Sequence, residues 1–294
     1  IEGGGLGKFN PKEIGPTDVQ KNNGVIDYVA EDEKDATNIA KKILSYFQGE
    51  IKDWKADDQT QLSNIMPKDR RWSYPVRDII KIISDIEEFT EIKPEYGKGI
   101  VTCFIRIEGK PFGLLANDSQ HLGGAIDSEG ADKASSFIEM CSEYGLPLIS
   151  LVDTPGFMVG PDSEKEGAVR RMSNLFKIGS KVKVPLTAIF LRKGYGLGAQ
   201  AMVGGSLHEP VYTAAWPTGE FGAMGLEGAV KLGFKKELEK IEDNSKREEL
   251  FNSLVEKLYD KGKAIEAAAH LEIDAVINPS ETRSVILKSQ KAFV

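Results

Sequence analysis

The apolar positions of this chain change period several times, and each change marks an element. Between Glu31 and Phe47 they fall at Ala36, Ile39, Ala40, Ile43, Leu44 and Phe47, the spacing of one helical face. Glu31, Asp32 and Glu33 lie near the start of that segment, where acidic groups complement a helix dipole. The pattern then lapses: residues 49–71 are polar and rich in Asp and Gln, which predicts a linker, and Val76 to Ile86 returns to helical spacing. After Phe89 to Ile92 come two apolar runs, Ile100 to Ile107 and Phe112 to Ala116, joined by Glu-Gly-Lys-Pro, which predicts a β-hairpin. Further on, the pattern predicts a helix over 131–144, a buried strand over 146–152, a helix over 164–177, strands over 186–191 and 211–215, and a strongly helical region over 246–270. Strand and helix alternate through 100–278, so an α/β fold with a parallel or mixed sheet under covering helices is expected.

Composition narrows the class. With 294 residues, 40 % of them hydrophobic, the chain can bury one large core or one core with an appendage. A formal net charge of −7 argues against a nucleic-acid partner, which needs a basic field. No apolar run approaches the roughly 20 residues that span a bilayer, so no membrane partner and a cytoplasmic setting are expected. Cys103 and Cys141 sit inside apolar patterns and are expected as packed, reduced thiols. His121, His208 and His270 have no metal-ligand spacing, and no metal is expected. Residues 1–24, with Gly3 to Gly5, Pro11, Pro16 and Asn22-Asn-Gly24, predict an irregular lead-in. Because the chain opens on Ile-Glu-Gly-Gly-Gly without an initiator Met, it is expected to be a domain excised from a longer protein.

The chemistry concentrates where strands end. The run Leu186 to Leu191 leads through Arg192 and Lys193 into Gly194, Gly196 and Gly198, followed by the small-residue sequence Ala199-Gln-Ala-Met202. Glycines after a strand allow a sharp turn and close approach of another molecule to the backbone. A helix opening there would point unpaired amides into the turn, an arrangement able to stabilise an oxyanion. A plain packing turn is the competing reading; a dinucleotide site fits less well, because the spacing is G-x-G-x-G rather than G-x-G-x-x-G. Arg192 reads equally as a site residue or as a solvated charge at a strand end. Asp153-Thr-Pro-Gly156 resembles a GTPase element, but no G-x-x-x-x-G-K-[ST] loop accompanies it, so it is read as a ligand-bearing loop at the carboxyl edge of a sheet. Leu122-Gly-Gly-Ala-Ile-Asp127 is a second glycine turn before a helix; the two turns are expected either to face one another across a cleft or to be ordinary turns. No Ser/His/Asp set or paired carboxylate is evident, so catalysis would rest on backbone amides and a cofactor.

Several segments carry a resemblance: Ala131-Asp-Lys-Ala134 with Phe137 and Cys141, Val152-Asp-Thr-Pro-Gly-Phe157, Leu191-Arg-Lys-Gly-Tyr-Gly196, Trp216-Pro-Thr-Gly-Glu220, Met224-Gly-Leu-Glu-Gly-Ala-Val230 and Asp274-Ala-Val-Ile-Asn-Pro279. From about residue 24 to the end, the chain resembles the C-terminal half of the carboxyltransferase (β) subunit of biotin-dependent acyl-CoA carboxylases, the propionyl-, acetyl- and methylcrotonyl-CoA family. The resemblance implies a crotonase-like ββα superhelix over 73–294, preceded by a 1–72 lead-in connector with one amphipathic helix. It implies carboxyl transfer from carboxybiotin to an acyl-CoA, this chain supplying the biotin side of a site shared with an N-terminal carboxyltransferase half. The implied partners are a biotin carboxyl carrier protein, a biotin carboxylase subunit and further copies of the chain, as a dimer or hexamer.

By the same resemblance the oxyanion donors fall at Leu197, Gly198 or Ala199. The family's Tyr-Gly-Gly-Ala reads Tyr195-Gly-Leu-Gly-Ala here. Gly123, Gly124, Gly156, Phe157, Tyr195, Gly196 and Gln200 are implied in substrate or biotin binding. Gln200 occupies a position that is typically Asp in propionyl- and acetyl-CoA enzymes, which leaves the acyl group open. Two alternatives stand beside this reading: the α subunit of a biotin-dependent acyl-CoA decarboxylase, and a non-catalytic assembly or docking domain.

Overall fold

The computed structural model describes residues 1–291. Its principal elements are α1 (Glu33–Ser45), α2 (Val76–Ile83), β1 (Phe89–Ile92), β2 (Ile100–Ile107), β3 (Lys110–Asn117), α3 (Ser128–Glu143), β4 (Leu148–Thr154), α4 (Ala168–Gly179), β5 (Leu186–Tyr195), α5 (Gly196–Met202), β6 (Tyr212–Ala215), β7 (Glu220–Gly222), α6 (Leu226–Gly233), α7 (Asn244–Gly262), β8 (Ala275–Val276) and α8 (Thr282–Lys291). The strands form one sheet in the order β1-β2-β3-β4-β5-β6-β8, with β7 continuing beside the far end of β5. The hairpin β2–β3 and its neighbour β1 are antiparallel, and from β3 onward every pairing is parallel.

That switch explains the sequence pattern. Parallel strands need cover on both faces and therefore read as continuous apolar runs rather than alternations. All seven residues of β4 are buried. Their side chains divide between two cores. Leu148 and Val152 point into one with Phe104, Leu115, Phe190 and the α3 residues Ala134, Phe137 and Ile138. Ile149 and Leu151 point into the other with Val101, Ile105, Ile189, Leu191 and the α2 residues Val76, Ile79, Ile80 and Ile83. The helix α8 closes the second core through Ile286 and Leu287, and the Trp216 indole donates to Thr282 Oγ1 at 3.0 Å. Cys103 and Cys141 are both buried and unbridged.

Several boundaries differ from the sequence expectation, each for a local reason. The helix over 164–177 is divided at Gly167, whose φ of 70° lies in the left-handed region, so α4 begins at Ala168. The 246–270 region is divided at Lys263, which is extended (φ −59°, ψ 148°). The strand at 186–191 runs on to Tyr195, because β7 pairs with its last three residues. The 49–71 segment is largely irregular, as expected of a linker, yet Leu62 is fully buried in the second core with Ile65 and Met66 against it. Upstream, the buried Arg106 guanidinium donates to the carbonyls of Ser45 at 2.8 Å and Gly49 at 3.1 Å. It thereby satisfies acceptors at the end of α1, where a cation is favoured.

Candidate functional site

The parallel strands deliver three loops to one sheet edge, the carboxyl side where α/β sheets hold ligands. They are 117–127 after β3, 154–158 after β4 and the turn into α5 after β5. Backbone contacts lock them together. Ile126 N–H donates to Gly156 O at 3.0 Å and Met158 N–H to Ile126 O at 2.8 Å. The Lys193 ammonium donates to Gly123 O at 2.7 Å. Its pKa is held below the ordinary lysine value, chiefly by burial.

Glycine is required where these loops meet. A Cβ on Gly198 would stand 2.7 Å from the Gly156 Cα and carbonyl carbon and 2.9 Å from Phe157 N. One on Gly124 would stand 2.3 Å from Asp153 O, with φ already at 90°. Gly196 (φ 60°) lies equally tight against Ala223 O, at 2.9 Å. Any side chain at 198 would push the two loops apart, since neither contact is with a flexible group.

Beneath the loops lies a buried ion pair. Asp153 and Arg192 are 0 % and 3 % exposed. The guanidinium donates to the Asp153 carboxylate from Nη2 at 2.9 Å and Nε at 3.2 Å. Asp153 also accepts from Lys193 N at 3.0 Å, and its own amide donates to Asn117 Oδ1 at 3.1 Å. Arg192 completes its shell by donating to Trp72 O at 2.6 Å and stacking over the Tyr74 ring at 5.0 Å. Arg192 as a solvated strand-end charge is therefore overturned: β5 runs past it, and only its pairing with Asp153 makes its burial tolerable.

The helix α5 starts at Gly196 with Tyr195 as its N-cap and no side-chain cap. In such a helix the N–H groups of residues 196–198 have no acceptor in the preceding turn, and Ala199 is the first whose amide can reach the cap residue's carbonyl. Leu197 is 62 % exposed and Gln200 is exposed beside it, so one face of this turn is open to solvent.

A model of the carboxyl transferase domain matches residues 10–294. The chain belongs to the carboxyl transferase domain family. In sequence it is 34 % identical to the methylmalonyl-CoA carboxyltransferase 12S subunit of Propionibacterium freudenreichii subsp. shermanii over 92 % of the chain and 53 % of that subunit. The chain thus spans about half the length of the curated relatives it matches. In structure it superposes on a single-chain, multi-domain long-chain acyl-CoA carboxylase with TM-score 0.91 and 51 % identity, covering 98 % of this chain and 28 % of that one. It also superposes on the transcarboxylase 12S hexamer core, solved with methylmalonyl-coenzyme A and methylmalonic acid bound, with TM-score 0.87 and 30 % identity, covering all of this chain and 57 % of that one. The fold is accordingly the crotonase-like one.

In this carboxyl transferase domain the residues expected at the site come together, with unequal parts to play. Gly198 and Gly156 meet as backbone, Gly124 lies against Asp153 O and Gly196 against Ala223 O, and Gly123 joins them through its carbonyl, which accepts from Lys193. The Gly156 amide already donates to Thr154 Oγ1 at 3.1 Å, and that of Gly124 to His121 O at 2.9 Å. Two side chains point elsewhere. The Phe157 ring packs on Phe176 of α4 with centroids 6.1 Å apart, so only its backbone faces Gly198. The Tyr195 ring is buried, its pKa raised chiefly by burial, and its hydroxyl sits beside the buried Glu220 carboxyl. Sequence reasoning missed Asp153 as the partner of Arg192, and it missed Arg70, Tyr74 and Glu220. Glu220 lies in the quoted Trp216 to Glu220 motif, and its only signal was an acid inside an otherwise apolar and glycine-rich stretch.

Proposed function

We propose that this chain is the biotin-side half of an acyl-CoA carboxyltransferase, passing a carboxyl group from carboxybiotin to an acyl-CoA. The observation that carries the reading is the uncapped start of α5, held by Gly198 against Gly156 in a carboxyl transferase fold. Carboxybiotin, when bound, supplies the carboxyl group. The cradle suits its flat ureido ring and the charge on its carboxylate: its floor is glycine backbone, a Cβ on Gly123 would meet nothing within 4 Å among the described residues, and its donors are amides. The N–H groups of Leu197 and Gly198 would stabilise negative charge on an oxygen, a contribution of roughly 3–4 kcal/mol per donor, whereas the Ala199 amide, which can reach the Tyr195 carbonyl, would not take part. Gly156, Gly196 and Gly123 would line the ring, Phe157 and Tyr195 would support it from the core side, and the exposed Gln200 would face the acyl partner. The Asp153–Arg192 pair neutralises charge beneath the loops and keeps the sheet edge rigid.

The partners in this reading are a biotin carboxyl carrier protein, a biotin carboxylase, an N-terminal carboxyltransferase half and further copies of the chain, working in the cytoplasm, with 1–72 as the connector between halves. Among the described residues, no helix is long and apolar enough to cross a membrane. We further infer a long-chain acyl group, since among the superposed structures the long-chain acyl-CoA carboxylase stands at 51 % identity and the transcarboxylase 12S core, with methylmalonyl-coenzyme A bound, at 30 %. The test is to assay the chain, alone and mixed with an N-terminal half from the family, for carboxyl transfer from malonyl-CoA or a long-chain 2-carboxyacyl-CoA to free biotin. Turnover in the mixture, faster with the long-chain thioester, is expected. A folded mixture that transfers nothing would leave an assembly domain as the better reading.

A further inference from the structure

The strand β7 forms the floor of the α5 turn. Glu220, Phe221 and Gly222 pair with Lys193, Gly194 and Tyr195, and Ala223 O lies against Gly196. Its first residue is anomalous. Glu220 is 1 % exposed, and among the described residues neither its carboxyl oxygens nor the Tyr195 hydroxyl has a partner in full hydrogen-bond geometry, although the two groups face one another closely enough for the carboxyl to raise the hydroxyl's pKa. The nearest cation is Arg70, whose Nη1 lies 3.6 Å from Glu220 Oε1. Arg70 is itself held by Glu227 at 2.8 Å and by the Tyr259 ring, 5.5 Å from its guanidinium carbon. Burial holds the Glu220 pKa above the ordinary carboxyl value, against the opposing pull of Arg70.

A buried acid with so little compensation costs stability, and an uncharged residue of the same volume at such a position is typically neutral or stabilising. Its place in the fold therefore calls for a role other than stability. We propose that Glu220 is a positioning residue for the oxyanion turn: through the Tyr195 hydroxyl and Arg70 it fixes the β5–α5 junction that aims the amides of Leu197 and Gly198. The carboxyl is shielded from solvent behind the turn and touches no substrate. It acts on the residue that caps α5, from a strand whose backbone is already tied to that residue. This inference rests on the proposed carboxyl transfer for its kinetic consequence, but its structural consequence is independent of it.

The test uses the full chain with Glu220→Gln and, separately, Tyr195→Phe. Three quantities are read: thermal stability, amide hydrogen exchange of residues 196–199, and transfer kinetics with the N-terminal half. The expected result is melting no lower than wild type, faster exchange confined to 196–199, and a kcat lowered roughly 10- to 100-fold with KM little changed, as for a misaimed site. A variant that melts lower while exchange at 196–199 and kcat stay at wild-type values would make Glu220 merely structural and overturn the proposal. If Glu220→Gln fails to fold, Tyr195→Phe decides: wild-type exchange and kcat there overturn it. If the wild-type mixture shows no transfer at all, the carboxyltransferase reading fails, and the exchange data alone uphold or overturn the positioning role.

Discussion

The two glycine turns at the sheet edge look alike in sequence and do opposite things with their helices. The turn at 122–124 leads into α3, but Asp127 intervenes as N-cap and accepts from Gly130 N at 2.7 Å. Within that turn the Gly124 and Ala125 amides bond to His121 O and Leu122 O. The turn at 196–198 runs from strand to helix with no capping side chain. A capped helix start has used one of its donors on its own side chain; an uncapped one leaves them free for water or a ligand. Lys193 and Asp153 tie the two turns together, so the first turn braces the second instead of mirroring it.

The comparison can be broken most severely at the brace. Arg192→Met leaves the Asp153 carboxylate buried without its cation and is expected to cost about 3–5 kcal/mol in urea unfolding, the range for one partner removed from a buried pair. Next is Gly198→Val, which forces a side chain onto Gly156. Carboxyl transfer should fall by at least about 100-fold, the effect of an ångström-scale displacement, with the chain still folded by circular dichroism. Asp127→Ala sharpens the contrast from the other side: loss of the α3 cap should lower stability by about 1 kcal/mol and leave kcat unchanged. A large kcat loss there would mean that both helix starts serve the chemistry.

A pH slope tests the capped helix separately. Lys133, on the capped helix, is buried and donates to Tyr96 O at 2.9 Å; burial pushes its pKa down to about 8. In the unfolded chain it keeps the ordinary value of 10.5. Between the two values the folded chain binds fewer protons than the unfolded one, so the cost of burying the ammonium is complete below pH 8 and is relieved as pH rises toward 10.5. The stability of wild type relative to Lys133→Met should therefore climb from pH 8 to 9.5 in chemical denaturation; a flat difference would remove the claim.

Much of this was legible in the residue order. The parallel core strands announced themselves as unbroken apolar runs, and the loops after Val152 and Leu191 were recognisable from their glycines and from Asp153. The uncapped turn was visible too, because Gly196 to Ala201 offers no side chain able to cap it except Gln200. What stayed hidden was long-range pairing. Nothing local to Arg192 distinguishes a solvated cation from one buried against a carboxylate 39 residues away. Tyr195 and Phe157, plausible ligand contacts in a motif, turned out to face inward.

Periodicity and turn chemistry are local properties. By themselves they determined the order of elements, the buried sheet and the places where the backbone can bend, and with the quoted motifs they determined the family. Tertiary structure decided which polar groups lose their water. The burial of Asp153, Arg192 and Glu220 and the contact of Gly198 with Gly156 arise only when β4, β5 and β7 lie side by side, because desolvation depends on every neighbour in space and not on neighbours along the chain.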